Sequence, residues 1–466
     1  MIPAELLDGR VLVAGAGVSG RGCARLLADA GVDTIVADDN AQALSLIDVP
    51  GITVAEARAR LAEFSLVVTS PGWRPSSPLL VDVAAAGIEV IGDVELAYRL
   101  DRTGAFGAPR TWLVVTGTNG KTTTTAMLAA MMDQASARTD RRAEAVGNIG
   151  VSVADAIVDK QRIDVLVAEL SSFQLHWSSQ FTPDAGVLLN LAEDHIDWHG
   201  SFDAYANDKA RALTGPIAVA GIDDPHVRSL TAGISGLIGF TLEKPGAGQF
   251  GVVDGQLVDN TGTIPIALAP IEGIEPAGPA GILDALAAAA LARSQGVSPA
   301  EIAAALAQFQ VADHRGQVVA SGGGVRWIDN SKATNPHAAE AALGGLANVI
   351  WIAGGQLKGA DVSDLVRHHG EALTAAGLLG ADAALIAQAL AEHAPHVDVF
   401  ISDSTDPVIA MDELVDWAAA RSHPGDTVLL APAAASLDMY TGMGQRGDLF
   451  TAAANRHAPR APKETT

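Results

Sequence analysis

The apolar positions of this chain come in short solid runs rather than in alternation. Val11–Ala14, Thr34–Ala37, Leu66–Thr69, Leu113–Thr116, Val165–Ala168, Val187–Leu189, Val349–Ala353 and Thr427–Leu430 are apolar or β-branched almost throughout. Such runs predict strands covered on both faces, as in parallel sheets. Ala/Leu-rich helical stretches lie between them, so α/β units are expected from end to end. Two breaks interrupt the pattern: TGAFGAP at residues 103–109, and a change near residue 311, after the helical AEIAAALAQFQ. Three domains follow as an expectation, 1–103, 104–311 and 312–466. Between about 239 and 279 the runs shorten and glycines and prolines multiply, which predicts a small β insertion in the central domain. The tail Arg456–Thr466 is polar and is expected to be disordered.

Length and composition agree with this division and narrow the class. A chain of 466 residues suits about three domains. The longest apolar runs, such as Ala285–Ala292, fall short of the roughly 20 residues a membrane helix needs. The N-terminal MIPAELLDGR lacks the basic-then-apolar order of a secretory signal. Cys23 is the only cysteine, which excludes an intramolecular disulfide and suits a reducing compartment. A cytoplasmic protein without membrane insertion is expected. The net charge of −24 argues against a nucleic-acid partner, because phosphate backbones require a basic face. It leaves nucleotides open, since one phosphate site needs only a few N–H groups and a cation.

Several segments carry chemistry. Gly15-Ala16-Gly17-Val18-Ser19-Gly20 follows a strand and opens a helix, with Asp38 at the end of the next strand. That is the dinucleotide fingerprint, which taken alone favours a nicotinamide or flavin enzyme; a purely structural turn is the competing reading. Leu113–Thr116 leads into Gly117-Thr118-Asn119-Gly120-Lys121-Thr122-Thr123 and a helix. A lysine and a hydroxyl at a helix N-terminus suit the β/γ-phosphates and Mg²⁺ of ATP, although Val115 stands where the general P-loop has glycine. Glu169 ends an apolar strand, where it either holds Mg²⁺ or caps a helix. Another strand leads to Glu193-Asp194-His195-Ile196-Asp197-Trp198-His199, whose acid and histidine density resembles a metal-binding loop. The ends of these three strands, at Thr116, Glu169 and Asn190, are expected to converge on one sheet edge.

Lys209 stands apart. Ser201–Leu213 reads as a helix with Ser201 as N-cap, and Phe202, Tyr205, Lys209 and Leu213 share one stripe. A lysine there either snorkels to solvent or loses its charge in apolar surroundings and becomes able to take up CO₂ as a carbamate. The last third contributes Asp313-His314-Arg315, Asp329–Pro336 (DNSKATNP), Gly354–Lys358 (GGQLK) and Ala435–Asp438 (ASLD). Polar groups packed immediately after strands suggest a ligand-facing edge.

Taken in this order, from about residue 10 to 455, the segments resemble the Mur ligases. TGTNGKT is similar to that family's ATP loop, followed by a strand-end glutamate, EDH, DHR and DNSKATN. ELSSFQL, Ser70-Pro71-Gly72, Gly147–Gly150 (GNIG) and ASLD resemble the D-glutamate-adding branch in particular. The resemblance implies three α/β domains: a Rossmann-like N-terminal domain, a P-loop-type central ATPase domain with a parallel sheet, and a Rossmann-like C-terminal domain. It implies amide ligation, in which UDP-N-acetylmuramoyl-L-alanine is activated by ATP to an acyl phosphate and then captured by D-glutamate. ATP and two Mg²⁺ ions are expected, with no NAD or FAD, small-molecule substrates rather than a nucleic-acid partner, and a monomer.

By motif position, Lys121 would hold the ATP phosphates, with Thr122 and Glu169 on one Mg²⁺ and His195 and a carbamylated Lys209 on the other. Asn148, Asp284, Arg315 and Asp329 match ATP positions. Gly17, Val18, Ser19, Asp38, Ser70, Pro71, Gly72, Ser171 and Gln174 match positions for the UDP substrate, so the dinucleotide fingerprint would bind no dinucleotide. Lys332, Thr334, Lys358, Ser436 and Met443 match the D-glutamate site. The chain departs from the family where a His-Asn pair and a following asparagine are common; it has Ala280-Gly281-Ile282-Leu283-Asp284. An aromatic common near Met443 is also missing. Because ATP and glutamate groups lie on different domains, closure is expected. The alternatives are an L-alanine-adding relative, an NAD-dependent oxidoreductase and a non-catalytic nucleotide-binding regulator.

Overall fold

A computed structural model describes residues 9–457. The start of the MIPAELLDGR segment and residues 458–466 of the tail lie outside the described residues, whereas Arg456 and His457 end the helix Met443–His457. The chain forms two compact units. One runs to Glu272 and takes in Leu283–Phe309; the other takes Gly273–Ile282 and the chain from Gln310 onward.

The first unit holds two sheets. Strands β1 (Arg10–Ala14), β2 (Thr34–Ala37), β3 (Gly51–Ile52), β4 (Phe64–Thr69) and β5 (Glu89–Gly92) form the first, in order β3-β2-β1-β4-β5. All its pairings are parallel. The second comprises β6 (Thr111–Thr116), β7 (Ala143–Gly147), β8 (Val165–Glu169), β9 (Ala185–Leu188), β10 (Ala218–Gly221), β11 (Ile238–Phe240), β12 (Gln249–Val253), β13 (Gln256–Asn260) and β14 (Ile266–Pro270). Its order is β14-β13-β12-β11-β10-β9-β6-β8-β7. The short strands expected as an insertion extend the edge of this sheet: β12 lies parallel to β11, and β12, β13 and β14 form an antiparallel meander.

The break expected near residue 103 falls between the two sheets but does not separate two compact units. One continuous core joins Val11, Leu26 and Leu100 from the first sheet's layer to Trp112, Val146 and Leu166 from the second. Buried ion pairs lie along the same junction: Arg110 Nη1 meets Asp101 Oδ1 at 2.8 Å, and Arg99 Nε meets Glu95 Oε1 at 2.8 Å. The burial of whole strands explains the solid apolar runs, because β6 is flanked by β8 and β9 and roofed on both faces.

The second unit holds β15 (Gln317–Gly322), β16 (Val325–Asp329), β17 (Val349–Gly354), β18 (Leu373–Leu379), β19 (Asp398–Ile401) and β20 (Thr427–Leu430), in order β15-β16-β20-β17-β18-β19. Only β15 runs antiparallel to its neighbour. Residues 273–282, expected in the central domain, belong here instead; the Pro276 ring comes within 3.2 Å of where a side chain on Gly316 would begin. Residues 273–278 have no strand or helix period, and Pro279–Ile282 are only the first turn of the helix Pro279–Ser294, so nothing local in the stretch encodes which core it joins. Among the described residues no helix is long and apolar enough to cross a membrane.

Candidate active site

Three adjacent strands of the second sheet deliver the expected residues to one edge. β6 lies between β8 and β9, with Val115 opposite both Glu169 and Val187. The chain leaves β6 through Gly117–Gly120 and enters the helix Lys121–Gln134. Gly120 sits at φ +81°, and a Cβ on it would stand 2.3 Å from Asp284 Oδ1, so this turn accepts only glycine without rearrangement. Asn119 is clamped by Asn190, whose Oδ1 accepts from the Asn119 N–H at 2.8 Å and whose Nδ2 donates to its carbonyl at 3.1 Å. Lys121 Nζ folds back over the loop and donates to the carbonyls of Gly117 (3.0 Å) and Thr118 (2.8 Å).

Glu169 is buried at the end of β8, and both its oxygens are held. Thr122 Oγ1 donates to Oε2 at 2.8 Å and Asn148 Nδ2 to Oε1 at 2.8 Å. Glu169 is not a helix cap; that part falls to Ser171, whose hydroxyl accepts from the Gln174 N–H while the Gln174 side chain returns to the Ser171 N–H. Gln174 also donates to Asp93 Oδ2 at 3.3 Å. Thr123 is buried on the helix behind the loop, and Asp284 accepts from Thr124 Oγ1 at 3.0 Å. A cavity of about 70 Å³ beside the loop is lined by Leu189, Asn190, Gly221, Phe240, Leu283 and Asp284, among others.

The helix Phe202–Ala210 starts at its expected cap, Ser201, which accepts from the Ala204 N–H. Its stripe buries Lys209 at 2% exposure, which removes the snorkelling reading. Lys209 Nζ donates to the Gly117 carbonyl at 2.7 Å and lies 4.8 Å from the centre of the Tyr205 ring. Burial, reinforced by the charge of Lys121, holds the Lys209 amine well below the usual lysine range. Tyr205 in turn shares a 2.9 Å hydrogen bond with Thr118 Oγ1. His195 is left-handed at φ +54°, half-exposed, packs its ring against Phe173 at 4.7 Å with the planes tilted by 54°, and has its pKa lowered chiefly by burial.

The rest of the loop 193–199 does not gather its own acids and histidines into one array; among the described residues only His199 joins a candidate ligand group, with His176 and Asp208, whose ligand atoms lie within 4.8 Å of one another. His199 turns inward, where its Nδ1 meets Asp208 Oδ2 at 2.9 Å and its Nε2 meets Ser172 Oγ at 3.0 Å. His176 Nδ1 reaches the same Asp208 oxygen at 2.8 Å.

In the first sheet, the glycine loop turns from β1 into the helix Val18–Asp29, with Gly17 at the N-cap and Val18 exposed. Gly20 allows the turn to close, since a Cβ there would lie 1.9 Å from the Gly15 carbonyl oxygen. Asp38 braces the loop by accepting from the Ala16 N–H at 2.7 Å. Ser70, followed by Pro71 and Gly72, faces the same loop, and its Oγ is buried without a hydrogen-bond partner among the described residues. Ser19 opens the adjoining helix turn.

In the second unit, strand ends gather the remaining groups. Asp329 ends β16, fully buried, accepting from His314 Nδ1 at 2.6 Å and from the Ser331 N–H at 2.9 Å. Burial raises its pKa, against the pull of the His314 bond. Lys332 and Thr334 follow, and the Ala333 carbonyl accepts from the Ala433 N–H at 3.0 Å. Gln356 and Ala435 bridge the segment before Lys358 to the segment carrying Ser436. Met443 starts the last helix, its carbonyl accepting from Ser331 Oγ at 2.7 Å. Arg315 follows His314 at the entry to β15.

Arg446 escaped the sequence reading. Its guanidinium, fully buried, donates to the Ser331 hydroxyl and carbonyl and to the carbonyls of Gly354 and Ala434, at 2.9–3.2 Å. It therefore ties together the three segments that carry Lys332, Lys358 and Ser436. The signal was available: Arg446, Phe450, Ala453 and Ala454 form one buried helical stripe, the pattern that singled out Lys209.

Three stretches of the chain match known families. Residues 9–92 match the Mur ligase MurD-like N-terminal domain, 115–246 the Mur ligase middle domain, and 314–434 the Mur ligase glutamate ligase domain. The chain belongs to the Mur ligase family. It is 62% identical over 455 residues to the UDP-N-acetylmuramoylalanine--D-glutamate ligase of Corynebacterium efficiens, covering 96% of this chain and 95% of that relative. The protein of the same description from Mycolicibacterium smegmatis is 48% identical, covering 95% and 96%. Among solved structures, MurF from Acinetobacter baumannii superposes with a TM-score of 0.56 at 15% identity, over 91% of this chain and 85% of that one. UDP-N-acetylmuramate-alanine ligase MurC from Thermotoga maritima gives 0.54 at 16%, over 95% and 98%. At such identities these two structures speak to the fold alone.

Proposed function

We propose that this chain is an ATP-dependent amide ligase that joins D-glutamate to UDP-N-acetylmuramoyl-L-alanine in peptidoglycan synthesis. The observation that carries the reading is the Glu169 carboxylate held between Thr122 and Asn148 beside the loop that Lys121 and Lys209 cross. The named relatives supply the substrates. In this reading residues 1–103 take the UDP moiety, 104–311 ATP, and 312–466 D-glutamate. The unpartnered Ser70 hydroxyl supports the first assignment, because it faces a glycine loop at a helix N-terminus, a natural diphosphate seat.

A carboxylate oxygen of the L-alanine moiety attacks the γ-phosphorus of ATP, the bond to the β-phosphate oxygen breaks, and ADP leaves. The D-glutamate amine then adds to the acyl carbon of the acyl phosphate, and the tetrahedral intermediate expels inorganic phosphate as the amine loses its proton. Lys121, now bonded to loop carbonyls, swings its charge onto the transferred phosphoryl group. Lys332, Lys358 and Arg315 place cations opposite the glutamate carboxylates and the phosphates. Asn148, Asp284 and Asp329 position ATP, while Thr334, Ser436 and Met443 line the amino-acid site.

The donor set fits Mg²⁺. Thr122 and Glu169 offer hard oxygens 2.8 Å apart. His195 and Lys209 would hold a second ion, the lysine only as a carbamate, which its lowered pKa favours by keeping the amine neutral. Bound there, the ions supply positive charge to the phosphate and acyl-phosphate oxygens.

Phosphate release from ATP with UDP-N-acetylmuramoyl-L-alanine and Mg²⁺ tests the reading, comparing D-glutamate, L-glutamate, diaminopimelate and no amino acid. Release that depends on D-glutamate alone is expected. Release with another amino acid would move the protein within the family, and no release with any would overturn the ligase assignment.

A further inference from the structure

Asp208 occupies an unusual place. It precedes Lys209 on the helix Phe202–Ala210 and is buried, and a single oxygen, Oδ2, receives Nδ1–H donors from two histidines on two other segments. His176 closes the short helix that begins three residues after Glu169. His199 closes the turn Ile196–His199, which begins immediately after His195. The far side of the His199 ring is fixed as well, its Nε2 accepting from the Ser172 hydroxyl at 3.0 Å. The second oxygen of Asp208 lies 3.5 Å from Arg211 Nε. Phe173 stacks on His199, with 5.5 Å between centroids, and also meets His195 at 4.7 Å, so the rings are packed as one block.

Each of the three segments clipped to this carboxylate carries one of the groups assigned to metal: Glu169, His195 or Lys209. Among the described residues, Asp208, His176 and His199 make no direct hydrogen bond to Glu169, His195 or Lys209. A helix can slide or rotate by a fraction of an ångström at little cost, and a ligand set tolerates far less. A carboxylate that draws three segments to one point removes that freedom.

We propose that Asp208, acting through His199 and His176, is the positioning residue that sets Glu169, His195 and Lys209 at their spacing and thereby fixes the divalent-metal affinity of the site. This rests on the metal assignments made above. The clip binds no substrate and transfers no proton, so its loss weakens metal binding while leaving the amino-acid site intact. Outer-shell partners of metal ligands are commonly worth about 10–100-fold in affinity.

The test uses the full chain and Mn²⁺ as the probe, with free Mn²⁺ followed by electron paramagnetic resonance in the presence of ADP. Asp208→Asn is expected to weaken Mn²⁺ binding by about tenfold. The Mg²⁺ concentration for half-maximal phosphate release should rise in parallel, kcat should fall, and the KM for D-glutamate should stay within about twofold. Two histidine variants separate positioning from bulk. In His199→Asn the amide nitrogen takes the Nδ1 place and keeps the bond to Asp208; most of the Mn²⁺ affinity should survive. In His199→Gln it takes the Nε2 place, keeps Ser172 and loses Asp208; this variant should behave like Asp208→Asn. Wild-type Mn²⁺ binding in a folded Asp208→Asn protein would overturn the proposal. Should that variant not fold, equal Mn²⁺ affinities in His199→Asn and His199→Gln would overturn it instead. Wild-type protein that binds Mn²⁺ but releases no phosphate with D-glutamate would refute the ligase reading, while the Mn²⁺ comparison still decides the clip.

Discussion

The amine of Lys209 donates to the carbonyl oxygen of Gly117, the first residue of the phosphate loop, across 2.7 Å and 92 residues of sequence. A buried lysine bonded to a neutral carbonyl, with Lys121 nearby and no carboxylate at hydrogen-bond distance among the described residues, is desolvated more than the distant charges of Asp194 and Glu169 offset. Neutral amine is the form that reacts with CO₂, and the product would turn a repelled cation into an anionic ligand. Lys209→Ala should lower kcat by roughly 10³-fold, the scale of losing a key electrostatic group. Formate or acetate at high concentration should restore part of the loss by standing in for the carbamate, as followed by phosphate release. A fully active variant would return Lys209 to a packing role.

Arg446 should matter for both stability and amino-acid binding. Burial lowers its pKa to about 10, so it stays charged at neutral pH, and its N–H groups satisfy carbonyls on three segments. Arg446→Met leaves those buried acceptors unpaired, at about 1–3 kcal/mol for each. A marked fall in the urea midpoint of the second unit is therefore expected. Arg446→Lys keeps the charge but has three donors in place of the planar fork. It should fold, and its KM for D-glutamate should rise by about tenfold, because the Ser331, Gly354 and Ala434 segments are no longer held in register. An unchanged KM in a folded Arg446→Lys protein would separate the guanidinium from the site.

Much of this architecture was legible in the chain because parallel strands buried on both faces must be apolar throughout. β2 and β20 have the bounds that their solid runs predict, and the β6, β8 and β9 strand ends stand side by side. Lys209 was legible for the same reason, a charge on an apolar stripe. What stayed hidden depends on pairings distant in sequence. Asp208 reads as an ordinary helix-surface acid until His176 and His199 arrive from two other segments. Residues 273–278 have no period to read, and the stretch to Ile282 groups with the chain from Gln310 onward. The shared core of the first two sheets was equally invisible, since a Gly/Pro break marks a turn in the chain whether or not the packing ends there.

Cys23 gives a pH prediction. Its thiol is fully buried, and burial first, then the charges of Asp93 and Asp155, push its pKa well above the ordinary thiol value. The folded protein therefore keeps a proton that the unfolded chain releases. The stability tied to that proton is complete below the unfolded thiol pKa, about 8.5, and is lost as pH rises toward the folded value. Native protein at pH 8 should react with a disulfide reagent at least about 100-fold more slowly than protein in urea, since only the thiolate attacks. Cys23→Ala should flatten the fall in stability between about pH 8.5 and 10 relative to wild type. Rapid labelling of the native thiol, or identical pH slopes in the two proteins, would show that the thiol is not shielded.

Gly120 and Asp284 make the sharpest steric test of the phosphate loop. A Cβ on Gly120 would fall 2.3 Å from Asp284 Oδ1, at a backbone φ of +81°. Gly120→Ala therefore meets two costs, the left-handed conformation, about 1–2 kcal/mol, and a contact that the loop or Asp284 must yield to. Because Lys121 and Thr122 follow directly, a shifted loop should misplace both, raising the KM for ATP by at least about tenfold. Asp284→Ala removes the obstructing carboxylate together with the bond from Thr124. Combined with Gly120→Ala it should cost less than the sum of the two single changes, whereas additive losses would mean that the loop meets something other than Asp284. A double-mutant cycle on the KM for ATP and on the urea midpoint measures the difference directly.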